Sequence, residues 1–122
     1  MGMRIIAIDD NKTNLKLLEK LLEEKYDVVC FPDASDALYY LQKNEADLIL
    51  SDLIMPEMTG IGLLKALRNK KIDIPLVIIS AYDKKQYIEE AYSHGALHYL
   101  VKPINPDELF DVVDNTLSLK PN

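Results

Sequence analysis

The 122-residue sequence predicts an α/β fold, a doubly wound parallel sheet of five strands with helices on both faces. Three observations predict it. Short, continuously apolar runs alternate with longer amphipathic segments, as expected of strands buried on both faces and joined by crossover helices. Helix-capping and helix-stopping residues, among them Asp33, Gly95 and Asn105, fall between those runs. Asp9, Asp10, Asp52, Ser80 and Lys102 each stand at the carboxyl end of a run, the edge where open α/β sheets bind ligands.

The elements follow in order. RIIAI (Arg4–Ile8) is the first strand and ends in Asp9-Asp10. Asn11–Lys25 carries Leu15, Leu18, Leu21 and Leu22 at helical spacing with charges opposite. DVVCF (Asp27–Phe31) is β-branched and strand-like. Asp33 caps a helix through ASDALYYLQK, with Ala34, Leu38 and Leu41 on one face. DLILS (Asp47–Ser51) is the third strand; a Thr-Gly turn and the helix GIGLLKALRNK follow, with Ile61, Leu64 and Leu67 inward. Pro75 opens PLVIIS, the most apolar run. DKKQYIEEAYSHG is a helix that stops at Gly95, a left-handed C-terminal residue. LHYLV (Leu97–Val101) is the fifth strand, and Asn105-Pro106-Asp107-Glu108 gives the last helix a cap, a first-turn proline and a capping-box acid.

Composition narrows the classes. The length suits one domain. A net charge of −6 argues against generic binding of a nucleic-acid backbone. Cys30 is the single cysteine, so no internal disulfide forms, in keeping with a reducing compartment. No run reaches the roughly 18 apolar residues of a membrane span, and the N-terminus lacks a signal-peptide core. A cytoplasmic protein beginning naturally at Met3 is the expectation.

The residue types at the strand ends carry the chemistry. Three carboxylates in one crevice repel one another and want a cation. Their hard oxygens suit Mg²⁺ better than a soft metal, and no Cys or His stands at a strand end to build a zinc site. Lys102 adds a fixed positive charge and Ser80 a hydroxyl, so cation, ammonium and hydroxyl together make a receptor for phosphoryl oxygens. A central carboxylate can itself be the nucleophile and form an aspartyl phosphate; Asp52 is the candidate.

The stretches IDDN, SDLIMPEMTG, ISAYD and HYLVKP, in that order at strand ends, resemble the receiver domain of two-component response regulators. The resemblance covers Arg4 to about Leu117, giving a receiver domain over 3–119 and a tail or linker start over 120–122. It implies a flavodoxin-like sheet of order 2-1-3-4-5. It implies that Asp9, Asp10, Asp52 and the Ile54 backbone carbonyl hold Mg²⁺, with Mn²⁺ able to substitute. Asp52 would accept the phosphoryl group, Lys102 and Ser80 would bind it, and Ser80 and Tyr99 would form the switch. Lys102-Pro103 stands at the family's position for a cis bond. A sensor histidine kinase or phosphotransfer protein would be the donor, and a downstream output protein or fused domain the recipient of the signal. The surface that changes would comprise the fourth helix, fifth strand and fifth helix, also the place for a homodimer. Ile54 and Tyr82 rim the acceptor by motif position. Neither can orient an attacking water, so a slowly lost phosphate is expected.

Two other classes fit parts of the pattern. A small haloacid-dehalogenase-type aspartyl phosphatase carries D-x-D after its first strand, whereas the acids here are adjacent and no cap domain is inserted. A degenerate receiver acting as an unphosphorylated interaction module usually lacks one of the acids or the lysine. With the leading reading, no external substrate is turned over and the domain contacts neither nucleic acid nor membrane. Ser80 could instead cap the turn after its strand. Cys30 reads as a small core residue, and His94 and His98 lack partners at metal or triad spacing.

Overall fold

Ile5, Ile6, Ala7 and Ile8 are all apolar, so a strand made of them must be covered on both faces. In the computed structural model, which describes residues 2–118, β1 (Arg4–Ile8) lies inside the sheet with those four residues at most 1% exposed. The expected tail over 120–122 lies outside the described residues.

The remaining elements are α1 (Lys12–Leu22), β2 (Asp27–Phe31), α2 (Ala34–Leu41), β3 (Leu48–Ser51), α3 (Gly60–Asn69), β4 (Leu76–Ser80), α4 (Lys85–Ser93), β5 (His98–Val101) and α5 (Pro106–Ser118). All strand pairs are parallel, and the order is β2-β1-β3-β4-β5. Ile5 pairs with Val28 on one side and Leu48 on the other. The strand order therefore reverses between β1 and β3, and a crevice opens beyond their carboxyl ends.

Side chains alternate across each strand and build two cores. Ile6, Ile8, Ile49 and Ile78 pack with Ala37, Leu64, Leu67 and Ala91 under α2, α3 and α4. Ile5, Ala7, Leu50 and Val77 pack with Leu18, Leu22, Leu109 and Val113 under α1 and α5. Truncating one such leucine to alanine costs about 2–5 kcal/mol, so either layer is indispensable to a domain of this size.

Side-chain caps start four of the helices. Asn11 accepts from the Asn14 N–H, Asp33 from Asp36, Thr59 from Gly62 and Asn105 from Glu108. Thr59 is thus the cap of the helix expected to begin at Gly60. Gly95 has φ 101° after α4, the left-handed conformation that its lack of a Cβ permits. The first helix is shorter than expected, ending at Leu22 instead of Lys25. Glu23 and Glu24 would place negative charge at the negative end of the helix dipole. Cys30 packs against the second core as expected, but is only half-buried, beside Leu15 and Lys16, because β2 is an edge strand. Burial, then the charge of Glu19, pushes its thiol up to about 11.

Candidate functional site

Each acid is placed by backbone geometry at a strand end. Asp9 directly follows β1 and is 2% exposed; its Oδ1 accepts the Asn11 N–H at 2.8 Å. Asp10 stands next to it in solvent. Asp52 follows β3, where its N–H donates to the Ile8 carbonyl at 2.9 Å and ties it to the end of β1. Asp52 Oδ1 accepts the Leu53 N–H at 2.8 Å. One oxygen from each of Asp9, Asp10 and Asp52 comes within 4.8 Å of the others.

Lys102 reaches in from the end of β5. Its Nζ donates to Asp9 Oδ2 at 2.9 Å and to Asp52 Oδ2 at 3.3 Å. Its own N–H donates to the Ser80 carbonyl at 2.8 Å, and the Lys102–Pro103 peptide is cis, the isomer expected at that position. One ammonium thus pairs with two of the three clustered carboxylates. Burial raises the Asp52 carboxyl above the ordinary range; Lys102 opposes that rise, while the Asp9 charge adds to it. Burial works to lower Lys102, but the hydrogen bond to Asp9 and the charge of Asp52 outweigh it, and its pKa is raised. The excess of negative charge fits a hard cation. The donors are all oxygen, the type that Mg²⁺ prefers.

Ser80 ends β4 with 2% exposure, and its Oγ accepts the Tyr82 N–H at 3.1 Å. It therefore caps the turn and also lines the site. Asp52, Ile54, Ser80, Ala81 and Tyr82 enclose an open crevice of about 230 Å³. Ile54 and Tyr82 form its rim at 46% and 43% exposure, and the Tyr82 ring leans on Tyr87 with centroids 5.1 Å apart. The Tyr99 hydroxyl donates to the Tyr82 carbonyl at 2.5 Å. The N–H and the carbonyl of Tyr82, which lie in successive peptide groups, thus connect Ser80 on β4 to Tyr99 on β5. Burial raises the Tyr99 phenol, while the neighbouring Ser80 hydroxyl acts in the opposite direction.

All the expected site residues meet at one edge. The backbone donors of Asn11 and Leu53 went unforeseen. Any residue but proline supplies an N–H, so residue type carries no signal for them.

The response regulator receiver domain model matches residues 5–114. The chain belongs to that family. It is 40% identical over 115 residues to the two-component response regulator ARR12 of Arabidopsis thaliana, covering 92% of this chain and 19% of that relative. It is 37% identical over 123 residues to ORR24 of Oryza sativa subsp. indica, covering 98% and 20%. The chain thus spans about a fifth of the length of these curated relatives. Among solved structures, it is similar to the receiver domain of the Francisella response regulator 1452. The TM-score is 0.90 at 32% identity, with 96% of this chain and 98% of that chain covered. The Vibrio cholerae chemotaxis protein CheY4 superposes with a TM-score of 0.88 at 28% identity, covering 95% and 99%. The receiver assignment stands on residues 5–114, and the phosphatase alternative is not favoured. Among the described residues no helix is long and apolar enough to cross a membrane.

Proposed function

We propose that this receiver is a phosphorylation switch in which Asp52 accepts a phosphoryl group from the phosphohistidine of a sensor kinase or phosphotransfer protein. The observation that carries the reading is the convergence of the Asp9, Asp10 and Asp52 carboxylates within 4.8 Å around the crevice that Lys102 enters. An Asp52 oxygen attacks phosphorus, the new O–P bond forms as the N–P bond breaks, and the imidazole leaves with the electron pair. Asp9, Asp10, Asp52 and the Ile54 carbonyl would hold Mg²⁺, or Mn²⁺ in its place. The ion supplies positive charge against the charge that develops on the phosphoryl oxygens.

Lys102 supplies a second positive charge, already within 3.3 Å of the acceptor. Ser80 turns its hydroxyl from the loop to the phosphoryl group. That movement frees the Tyr82 N–H and works through the Tyr82 backbone on the carbonyl that holds Tyr99. The face of α4, β5 and α5 would then change, and there an output partner, a fused output domain or a second copy would dock. Only a few kcal/mol need separate the two states for one new charge to shift them. The domain would modify itself and turn over no external substrate, in the cytoplasm and without contacting nucleic acid.

Incubation with acetyl phosphate and Mg²⁺, followed by intact-mass measurement, tests this. One phosphoryl group should appear on the parent and none on Asp52→Asn. Asp10→Asn should require much more Mg²⁺, because a charged ligand is lost. Phosphate on Asp52→Asn would move the acceptor elsewhere, and none on the parent would favour an unphosphorylated interaction module.

A further inference from the structure

β3 hands Asp52 to a loop bounded by Ser51 and Gly60. Ser51 is 1% exposed, and its hydroxyl donates to the Asp52 carbonyl oxygen at 2.9 Å. The same oxygen rests against Gly60, where an added Cβ would stand 2.5 Å from it and 2.9 Å from Ile78 Cδ1. Gly60 does not adopt a left-handed φ, so what its position demands is space. Its N–H donates to the Leu53 carbonyl at 2.8 Å and closes the loop on the residue after Asp52.

The carbonyl held in this way belongs to the peptide group joining Asp52 to Leu53. That group is planar, so fixing the direction of its C=O fixes the direction of its N–H. The N–H is the one that donates to Asp52 Oδ1 at 2.8 Å, while Lys102 faces Oδ2. The terminal torsion of an aspartate is broad and two-fold, so without such an anchor neither oxygen has a fixed place.

We infer that Ser51 and Gly60 are positioning residues for phosphoryl transfer. From the far side of one peptide they clamp the N–H that pins Oδ1, and so hold Oδ2 toward Lys102 and the incoming phosphorus. The inference rests on Asp52 as the acceptor. Its physical basis is orientation: a reacting atom held in line needs no search at the moment of attack.

Phosphorylation by acetyl phosphate at saturating Mg²⁺, with the donor varied, separates orientation from binding. Ser51→Ala should lower the maximal rate by roughly tenfold and Gly60→Ala by roughly a hundredfold, the range that misplacing a reacting group spans. Donor half-saturation and Mg²⁺ affinity should hold at parental values, and Ser51→Thr, which keeps the hydroxyl, should restore the rate. The Leu53 amide proton of unphosphorylated Ser51→Ala should move upfield as its hydrogen bond loosens. A parental maximal rate in Ser51→Ala with the Leu53 amide unmoved overturns the inference, as does a loss that tracks Mg²⁺ affinity. Should Gly60→Ala not fold, Ser51→Ala alone decides. Should the parent take up no phosphate, the acceptor reading fails, and the Leu53 amide still reports on the clamp.

Discussion

At the amino-terminal edge of the sheet, Arg4 donates through its side chain to Asp27 at 2.8 Å and to the Tyr40 hydroxyl at 2.9 Å. Its backbone N–H donates to Asp47 at 2.7 Å. Arg68 closes the end of α3 onto the Ile72 and Ile74 carbonyls, and Asp114 of α5 accepts from both Tyr26 and Lys25. At the carboxyl-terminal edge, three carboxylates cluster, and the ammonium of Lys102 pairs with two of them, Asp9 and Asp52. Cations and anions match at the first edge and do not at the second. The first edge fastens loops to the sheet, and the second keeps an electrostatic imbalance that a cation and a phosphoryl group can use. Stability and reactivity are thereby assigned to opposite ends of the same strands.

The sharpest way to break that division is to remove one cation from each edge. Lys102→Ala should slow phosphorylation by about a hundredfold or more, roughly 2.7 kcal/mol of transition-state stabilisation. Arg4→Ala should leave the phosphorylation rate within twofold and lower the thermal midpoint instead. Equal effects of the two variants on both readouts would erase the distinction.

The rim of the reactive edge gives the next effect. Replacing Ile54 with Asn and Tyr82 with Glu supplies groups able to orient water in place of two proposed to exclude it. Loss of phosphate should quicken by about tenfold, or 1.4 kcal/mol, followed with Mg²⁺ present and the donor removed. An unchanged decay would show that the rim does not control water.

The fastening edge has its own test at Gly95, with φ 101° between α4 and β5. Gly95→Ala should cost about 1 kcal/mol in urea unfolding and leave phosphorylation alone. A change in phosphorylation rate there would mean that the edges communicate.

Acid separates the edges most subtly. The Tyr26 hydrogen bond, then Lys25, holds the Asp114 carboxyl below its ordinary range. A lowered carboxyl stabilises the fold fully above its unfolded pKa, and the contribution disappears as pH falls through the folded value. The raised Asp52 carboxyl does the reverse: its ionised form opposes folding, and protonation relieves that as pH falls through its folded value. Asp114→Asn should therefore be slightly less stable than the parent at neutral pH, and the gap should close in acid. A gap constant from pH 7 to strongly acidic solution would remove Asp114 from the fastening role.

The reactive edge was far more legible in the sequence than the fastening one. Asp9, Asp52, Ser80 and Lys102 each follow an apolar run directly, so strand periodicity alone brings them to one edge. Arg4, Tyr40 and Asp47 come from three separate elements, and nothing local to any of them announces the others. Strand ends were legible to within a residue: Asp47 and Leu97 fall just outside β3 and β5, although the N–H of each still bonds to a neighbouring strand. Ser51 and Gly60 stand inside the most informative stretch of the chain, yet their part in it depends on where one carbonyl oxygen points. Residue type cannot encode that direction.

The place of β1 between β2 and β3 orders the birth of the molecule. In a chain that emerges from its amino terminus, Ile5 and Val28 are both free before Leu48 is. Asp9 and Asp10 then wait beside an empty lane until β3 brings Asp52, and Lys102 arrives only with the last strand. Lengthening the intervening loop adds little to its closure cost, so the order is one of synthesis more than of energy. On the proposed function, phosphoryl acceptance would double as proof of completion, because a copy lacking β3 or β5 has acids but no assembled site.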